Sequence, residues 1–138
     1  MRGAVHHIDL SVRDPKAERA FWEAVLGFMG YRLSTEYDHG GYDFDCGERG
    51  KDFVSVGVRP SSGDNADRPH DRYSPGMHHL AWNAAGREDV DALYALLQRI
   101  GAHVRDAPAH YPQYSEGYYA VFFSNASGLK LEYCFVPG

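Results

Sequence analysis

Two histidine doublets stand 72 residues apart, in VHHIDLSV from Val5 and in PGMHHLAWN from Pro75. A third chemically capable residue, Glu132, sits in LKLEYCFV near the end of the chain. Each of the three stretches mixes apolar and polar side chains with period two, the signature of a strand with one packed face. Successive side chains on a strand point to opposite faces. In the first stretch Ile8, Leu10 and Val12 form the apolar set, which leaves His7, Asp9 and Ser11 on the other face. In the second, Leu80 and Trp82 mark the core, and His79, Ala81 and Asn83 oppose them. In the third, Leu131, Tyr133 and Phe135 are apolar, so Lys130, Glu132 and Cys134 share the remaining face. His7, His79 and Glu132 therefore fall on equivalent, non-core faces. Two imidazoles and a carboxylate suit a divalent transition metal, whether iron(II), manganese, nickel or zinc, with coordination positions left for substrate or water. A single histidine on a strand is ordinarily a hydrogen-bonded structural residue. The coincidence of three residues is what favours a metal. His6 and His78 are read as structural, or as outer donors near the strand ends.

The elements that must position these residues are written twice. After the first strand, Asp14-Pro15 offers an N-cap followed by a proline suited to the first helical turn. Ala17, Ala20, Phe21, Ala24 and Val25 then recur on one helical face, and Gly27 or Gly30 can end the helix. YRLSTEY, YDFDC and DFVSVGV follow as strands between glycine-containing turns. The second half repeats the order: MHHLAWN as a strand, Val90, Leu93, Tyr94 and Leu97 as a helical stripe closed by Gly101, then AHVRD, YYAVFF and LKLEYCFV as strands. The predicted fold is α+β: two tandem βαβββ modules, 1–60 and 76–138, joined by a polar connector over 61–75. Pairing them predicts an eight-stranded curved mixed sheet, a cup with the helices outside, as a single domain over 1–138.

Composition bounds the function. With 138 residues, 43% hydrophobic and 24% charged, the chain is an ordinary globular protein able to bury a core. Its net charge of −5 argues against a nucleic-acid surface. Its longest strongly apolar run, Tyr118 to Phe123, is too short to span a bilayer. No secretory signal is evident at MRGAVHHIDL. Two cysteines, Cys46 and Cys134, do not make a disulfide framework, so a reducing cytoplasm is the expected compartment. Eight histidines and ten tyrosines are a hint of a site.

VHHIDLSVRDPKAERAFWEAVLGFMGY, GMHHLAWN and YYAVFFSNASGLKLEYCF, in this order and spacing, resemble the vicinal oxygen chelate superfamily of glyoxalase I, extradiol dioxygenases and bleomycin-resistance proteins. The resemblance covers nearly the whole chain. It implies His7, His79 and Glu132 as metal ligands, a small oxygenated substrate chelated through neighbouring oxygens, no organic cofactor, and a homodimer. Two departures stand out. The closing hairpin turn, acidic in the family, is Asn125-Ala126-Ser127-Gly128; Gly128 should preserve it. The last strand of the first module, Phe53 to Arg59, carries no carboxylate or histidine where glyoxalase-type members place a further acid. The remaining two-histidine, one-carboxylate set is more like the dioxygenase branch, a resemblance that favours iron or manganese over nickel or zinc, and a lyase or isomerase stays open. An acid or base would come from His39, His70, His110, Tyr111, Tyr114 or Tyr118; the tyrosine-rich stretch His110 to Tyr119 could line or cover the site. The alternative is a non-catalytic, bleomycin-resistance-type protein that sequesters a ligand.

Overall fold

The computed structural model describes residues 2–138. It contains the expected eight strands and two helices in the expected order. The chain forms two compact units, dividing between Arg68 and Pro69 inside the connector. The first unit holds β1 (His7–Val12), α1 (Pro15–Phe28), β2 (Arg32–Glu36), β3 (Tyr42–Cys46) and β4 (Val54–Pro60). The second holds β5 (Leu80–Asn83), α2 (Arg87–Arg99), β6 (His103–His110), β7 (Tyr119–Ser124) and β8 (Lys130–Phe135). The strands are hydrogen-bonded as two four-stranded mixed sheets of identical topology, β1-β4-β3-β2 and β5-β8-β7-β6. In each, the first and last strands of the βαβββ pattern pair in parallel, and the others run antiparallel. No helix among the described residues is long and apolar enough to cross a membrane.

Local sequence accounts for the helix ends. Asp14 accepts from the Ala17 amide at 3.1 Å, and Pro15 occupies the first turn. Gly30 and Gly101 follow the two helices at φ of +92° and +69°, the left-handed conformation that glycine adopts without cost. The packed face of α1 shares Val25 with the stripe expected from the sequence but otherwise differs from it: Pro15, Glu18, Trp22 and Leu26 are the other buried residues, and Ala17 and Ala20 are exposed. This row wins because it carries the indole, the largest apolar surface on the helix. The buried Glu18 carboxylate accepts from Trp22 Nε1 at 3.2 Å. In α2 the buried row is Val90, Leu93 and Leu97, with Tyr94 at its edge.

Each helix covers one face of its own sheet. In the first unit Leu10, Val12, Tyr42, Phe44, Val56 and Val58 are buried, and the Tyr42 hydroxyl donates to the Pro15 carbonyl at 2.7 Å. In the second, Leu131 and Tyr133 are buried, and the Tyr133 hydroxyl donates to Asp89 Oδ2 at 2.5 Å. The repeat thus ties a core tyrosine to the start of the helix in both units. The closing hairpin keeps its turn without acids: Gly128 takes φ +85°, and Asn125 Oδ1 accepts from the Leu129 amide at 2.8 Å.

Candidate metal-ligating site and its counterpart

The opposite face of the second sheet, away from α2, carries Glu132 on β8. Its carboxylate is only 2% exposed, and a buried charge survives only with partners. Tyr118 donates its hydroxyl to Oε1, and His79 Nε2 lies 3.1 Å from Oε2. Both carboxylate oxygens are therefore engaged, one by a phenol and one by an imidazole. Burial, and then the bond to Glu132, push the Tyr118 phenol well above its ordinary pKa, so it remains a donor. His79 stands one residue before β5, and its side chain is 34% exposed. Beside Glu132 on the same face lie Ala120, Phe122 and Cys134, with Tyr111 and Tyr118 packed on them. Burial also raises the Cys134 thiol, so it is an apolar wall rather than a thiolate.

The other sequence candidates surround this pair unequally. Tyr111 and Tyr114 stack at 5.3 Å, and Tyr114 meets Tyr118 edge-on, also at 5.3 Å. His110 packs against the ring of Tyr119 at 4.9 Å. A cavity of about 850 Å³ borders Tyr118 and His110, with Arg87 and Glu116 on its wall. His39 lies in the first unit, where it stacks on Tyr37 and its Nδ1 accepts from the Gly41 amide at 3.0 Å. His70 sits by the closing turn, where its amide donates to the Ser127 carbonyl at 2.9 Å.

His7 opens β1 of the first unit, opposite Ser55 of β4, and is exposed. Among the described residues no three His, Cys, Asp or Glu side chains form a ready cation cluster. What is gathered is a pair, His79 and Glu132. Its nitrogen and carboxylate oxygen are the right donor types for a divalent transition ion, and a third ligand must come from elsewhere.

The first unit replaces the acid with something the sequence did not disclose. Strand register puts Gly57 between Asp9 and Asp43, where the second unit has Glu132 between Ala81 and Phe122. The space a side chain would fill is taken: a Cβ on Gly57 would meet Asp9 Oδ1 at 2.3 Å, Asp43 Oδ1 at 2.8 Å and Arg59 Nη1 at 3.0 Å. Arg59 Nη2 reaches Asp43 Oδ1 at 2.8 Å and Asp9 Oδ1 at 3.5 Å, and its guanidinium lies over Tyr37 at 4.6 Å. Tyr37 donates to Asp43 Oδ2 at 2.5 Å, and that bond raises its pKa. Burial works against the Arg59 charge, but the bond to Asp43 and the two carboxylates outweigh it and raise its pKa. His7, Asp45, Ser34 and Thr35 line a polar cavity of about 260 Å³ beside this cluster. The one sequence signal was an isolated glycine inside a strand, which marks close approach of other groups. Gly57→Ala is expected to cost about 1–3 kcal/mol in urea unfolding, since Asp43 is mostly buried and cannot swing clear.

A family model for the Glyoxalase/Bleomycin resistance protein/Dioxygenase superfamily matches residues 4–133. The chain is 27% identical to the uncharacterized protein YqjT of Bacillus subtilis (strain 168) over 128 residues, 93% of this chain and 95% of that one. It is similar in structure to a candidate glyoxalase from Bacillus halodurans, with a TM-score of 0.79, 24% identity and coverage of 98% of this chain and 97% of the other. It is also similar to a glyoxylase/bleomycin resistance protein/dioxygenase domain from Frankia sp. EAN1pec, with a TM-score of 0.72, 18% identity and coverage of 99% and 100%.

Proposed function

The chain belongs to the Glyoxalase/Bleomycin resistance protein/Dioxygenase superfamily, and from that premise we propose that it is a metal-dependent enzyme acting on a small oxygenated substrate. His79 and Glu132 of the second unit are the proposed ligands; His7 is the further ligand that the family resemblance implies. The observation that carries this reading is Glu132: a carboxylate 2% exposed on a central strand, facing an imidazole 3.1 Å away. Replacing a buried ionic pair by well-packed apolar side chains is often neutral or stabilising, so stability alone is a weak reason for a carboxylate and imidazole here. A divalent ion held there supplies Lewis-acid polarisation of a substrate oxygen. The chain's own residues do the rest. Tyr118 holds Glu132 Oε1 and leaves Oε2 on the His79 side. Tyr111, Phe122 and Cys134 make the surroundings apolar, which strengthens every charge interaction nearby.

The absence of a further acid in the first unit, where Gly57 stands, favours open coordination positions of the dioxygenase kind over a four-ligand isomerase site. The clustered tyrosines 111, 114 and 118 favour a second reading, a protein that sequesters a flat or cationic ligand on aromatic faces. Titration of the intact, metal-free chain with Fe2+ (anaerobically), Mn2+, Ni2+ and Zn2+ separates the two. The metal reading expects uptake of one ion and, at about 100 times Kd, stabilisation of about 2.7 kcal/mol. No uptake of any of the four overturns it in favour of sequestration. Oxygen consumption with a catechol by the Fe2+ or Mn2+ form then marks a dioxygenase; its absence leaves the lyase or isomerase. The proposal extends to a homodimer, which sedimentation equilibrium checks.

A further inference from the structure

The histidine doublets have a shared geometry that the metal reading above leaves unused. In the first unit His6 Nδ1 lies 3.0 Å from His7 Nδ1, the rings edge-on at 89°. In the second, 72 positions on, His78 Nδ1 lies 2.7 Å from His79 Nδ1, the rings again edge-on at 72°. Adjacent residues within a pleated strand could not make this contact, because their side chains leave opposite faces. Here β1 begins at His7 and β5 at Leu80, so each leading histidine precedes the pleat and can fold back on its neighbour. His6 and His78 are exposed and belong to no core.

We propose that His6 and His78 are positioning residues: each holds Nδ1 of the following histidine, fixing its ring and tautomer so that Nε2 is the atom presented to a metal. The proposal rests on the ligand assignment of the preceding subsection. Two contacts at distinct atoms support it in the second unit. His79 Nδ1 is engaged by His78, while His79 Nε2 points at Glu132, the other proposed ligand. A ring nitrogen that binds a cation must be unprotonated, so the proton of a neutral imidazole then sits on the other nitrogen and needs an acceptor. In the metal-free chain the Glu132 carboxylate accepts from His79 Nε2, so Nδ1 accepts from His78; a cation on Nε2 would place the proton on Nδ1 instead, and His78 Nδ1, 2.7 Å away, is the acceptor within hydrogen-bond reach. Metal-bound histidines ordinarily hand this proton to a carboxylate or a carbonyl; here an adjacent imidazole takes it. The same contact in both units answers why the pattern is a doublet rather than a single histidine: one ring binds and its neighbour aims it.

The test uses the intact chain and Zn2+ alone, which is diamagnetic. Competition against a chromophoric chelator should show His78→Ala binding about 10–100-fold more weakly than wild type, the range an outer partner controls. His78→Asn should restore most of the affinity, since its side-chain oxygen can occupy the place of Nδ1. Long-range proton–nitrogen NMR of the Zn2+ form should show His79 protonated at Nδ1 and metal-bound at Nε2. Thermal melts of the metal-free variants should match wild type, because His78 is exposed. Unchanged affinity in His78→Ala, failure of His78→Asn to restore it, or metal on Nδ1 overturns the positioning role while the metal site stands. A wild-type chain that takes up no Zn2+, Mn2+, Ni2+ or Fe2+ overturns both.

Discussion

His79→Ala is expected to abolish metal uptake, weakening binding by more than about 100-fold, beyond the range that outer partners control. The substitution removes the imidazole nitrogen that faces Glu132 Oε2. It also removes one of the partners of a carboxylate that is 2% exposed, so a stability loss of about 1–3 kcal/mol should accompany it. The two effects separate by measurement. Chelator competition reads metal affinity, and urea unfolding of the metal-free protein reads stability. His79→Gln keeps a polar group near Glu132 and should recover part of the stability but none of the binding. If His79→Ala binds as tightly as wild type, the ligand assignment is wrong by a residue, as a register slip along the strand would make it.

Trp22→Ala carries the largest expected loss of stability, about 3–5 kcal/mol. The indole has no exposed surface, meets Phe21 edge-on at 5.0 Å, and donates to the buried Glu18 carboxylate at 3.2 Å. Truncation opens a cavity under α1 and takes a donor from Glu18. Trp22→Phe keeps most of the volume and should lose much less. Urea midpoints, with unfolding of the first unit followed separately by amide exchange, would check both. Equal losses for the two variants would show that the Glu18 bond outweighs packing.

The fold was largely legible because it is written twice. Strand alternation, Asp14-Pro15, Gly101 and the 72-residue offset located the elements without any long-range information. The face of α1 was legible only at Val25, because alanine spacing suggested one row while the bulk of Trp22 selected the adjacent one. Proposed ligands could be named from strand parity, yet what surrounds them could not. The bond from Tyr118 to Glu132 joins a loop to a strand, and its partner atoms become neighbours only once β7 and β8 have paired. The Asp9–Asp43–Arg59 cluster draws on three strands, and its only local trace is one glycine. Parity also fails at the strand ends, where His6 and His78 leave the pleat and meet the residues that alternation would have set behind them.

The two halves of this duplication can no longer be interchanged one residue at a time. To seat a glutamate at position 57, the chain would have to replace the side chains that occupy its volume: Asp9, Asp43 and Arg59 correspond by register to Ala81, Phe122 and Cys134. A glutamate placed at 57 alone meets Asp9, Asp43 and Arg59, and removing both aspartates alone leaves the Arg59 charge without its carboxylates. A laboratory conversion of one arrangement into the other would therefore have to move all four positions together.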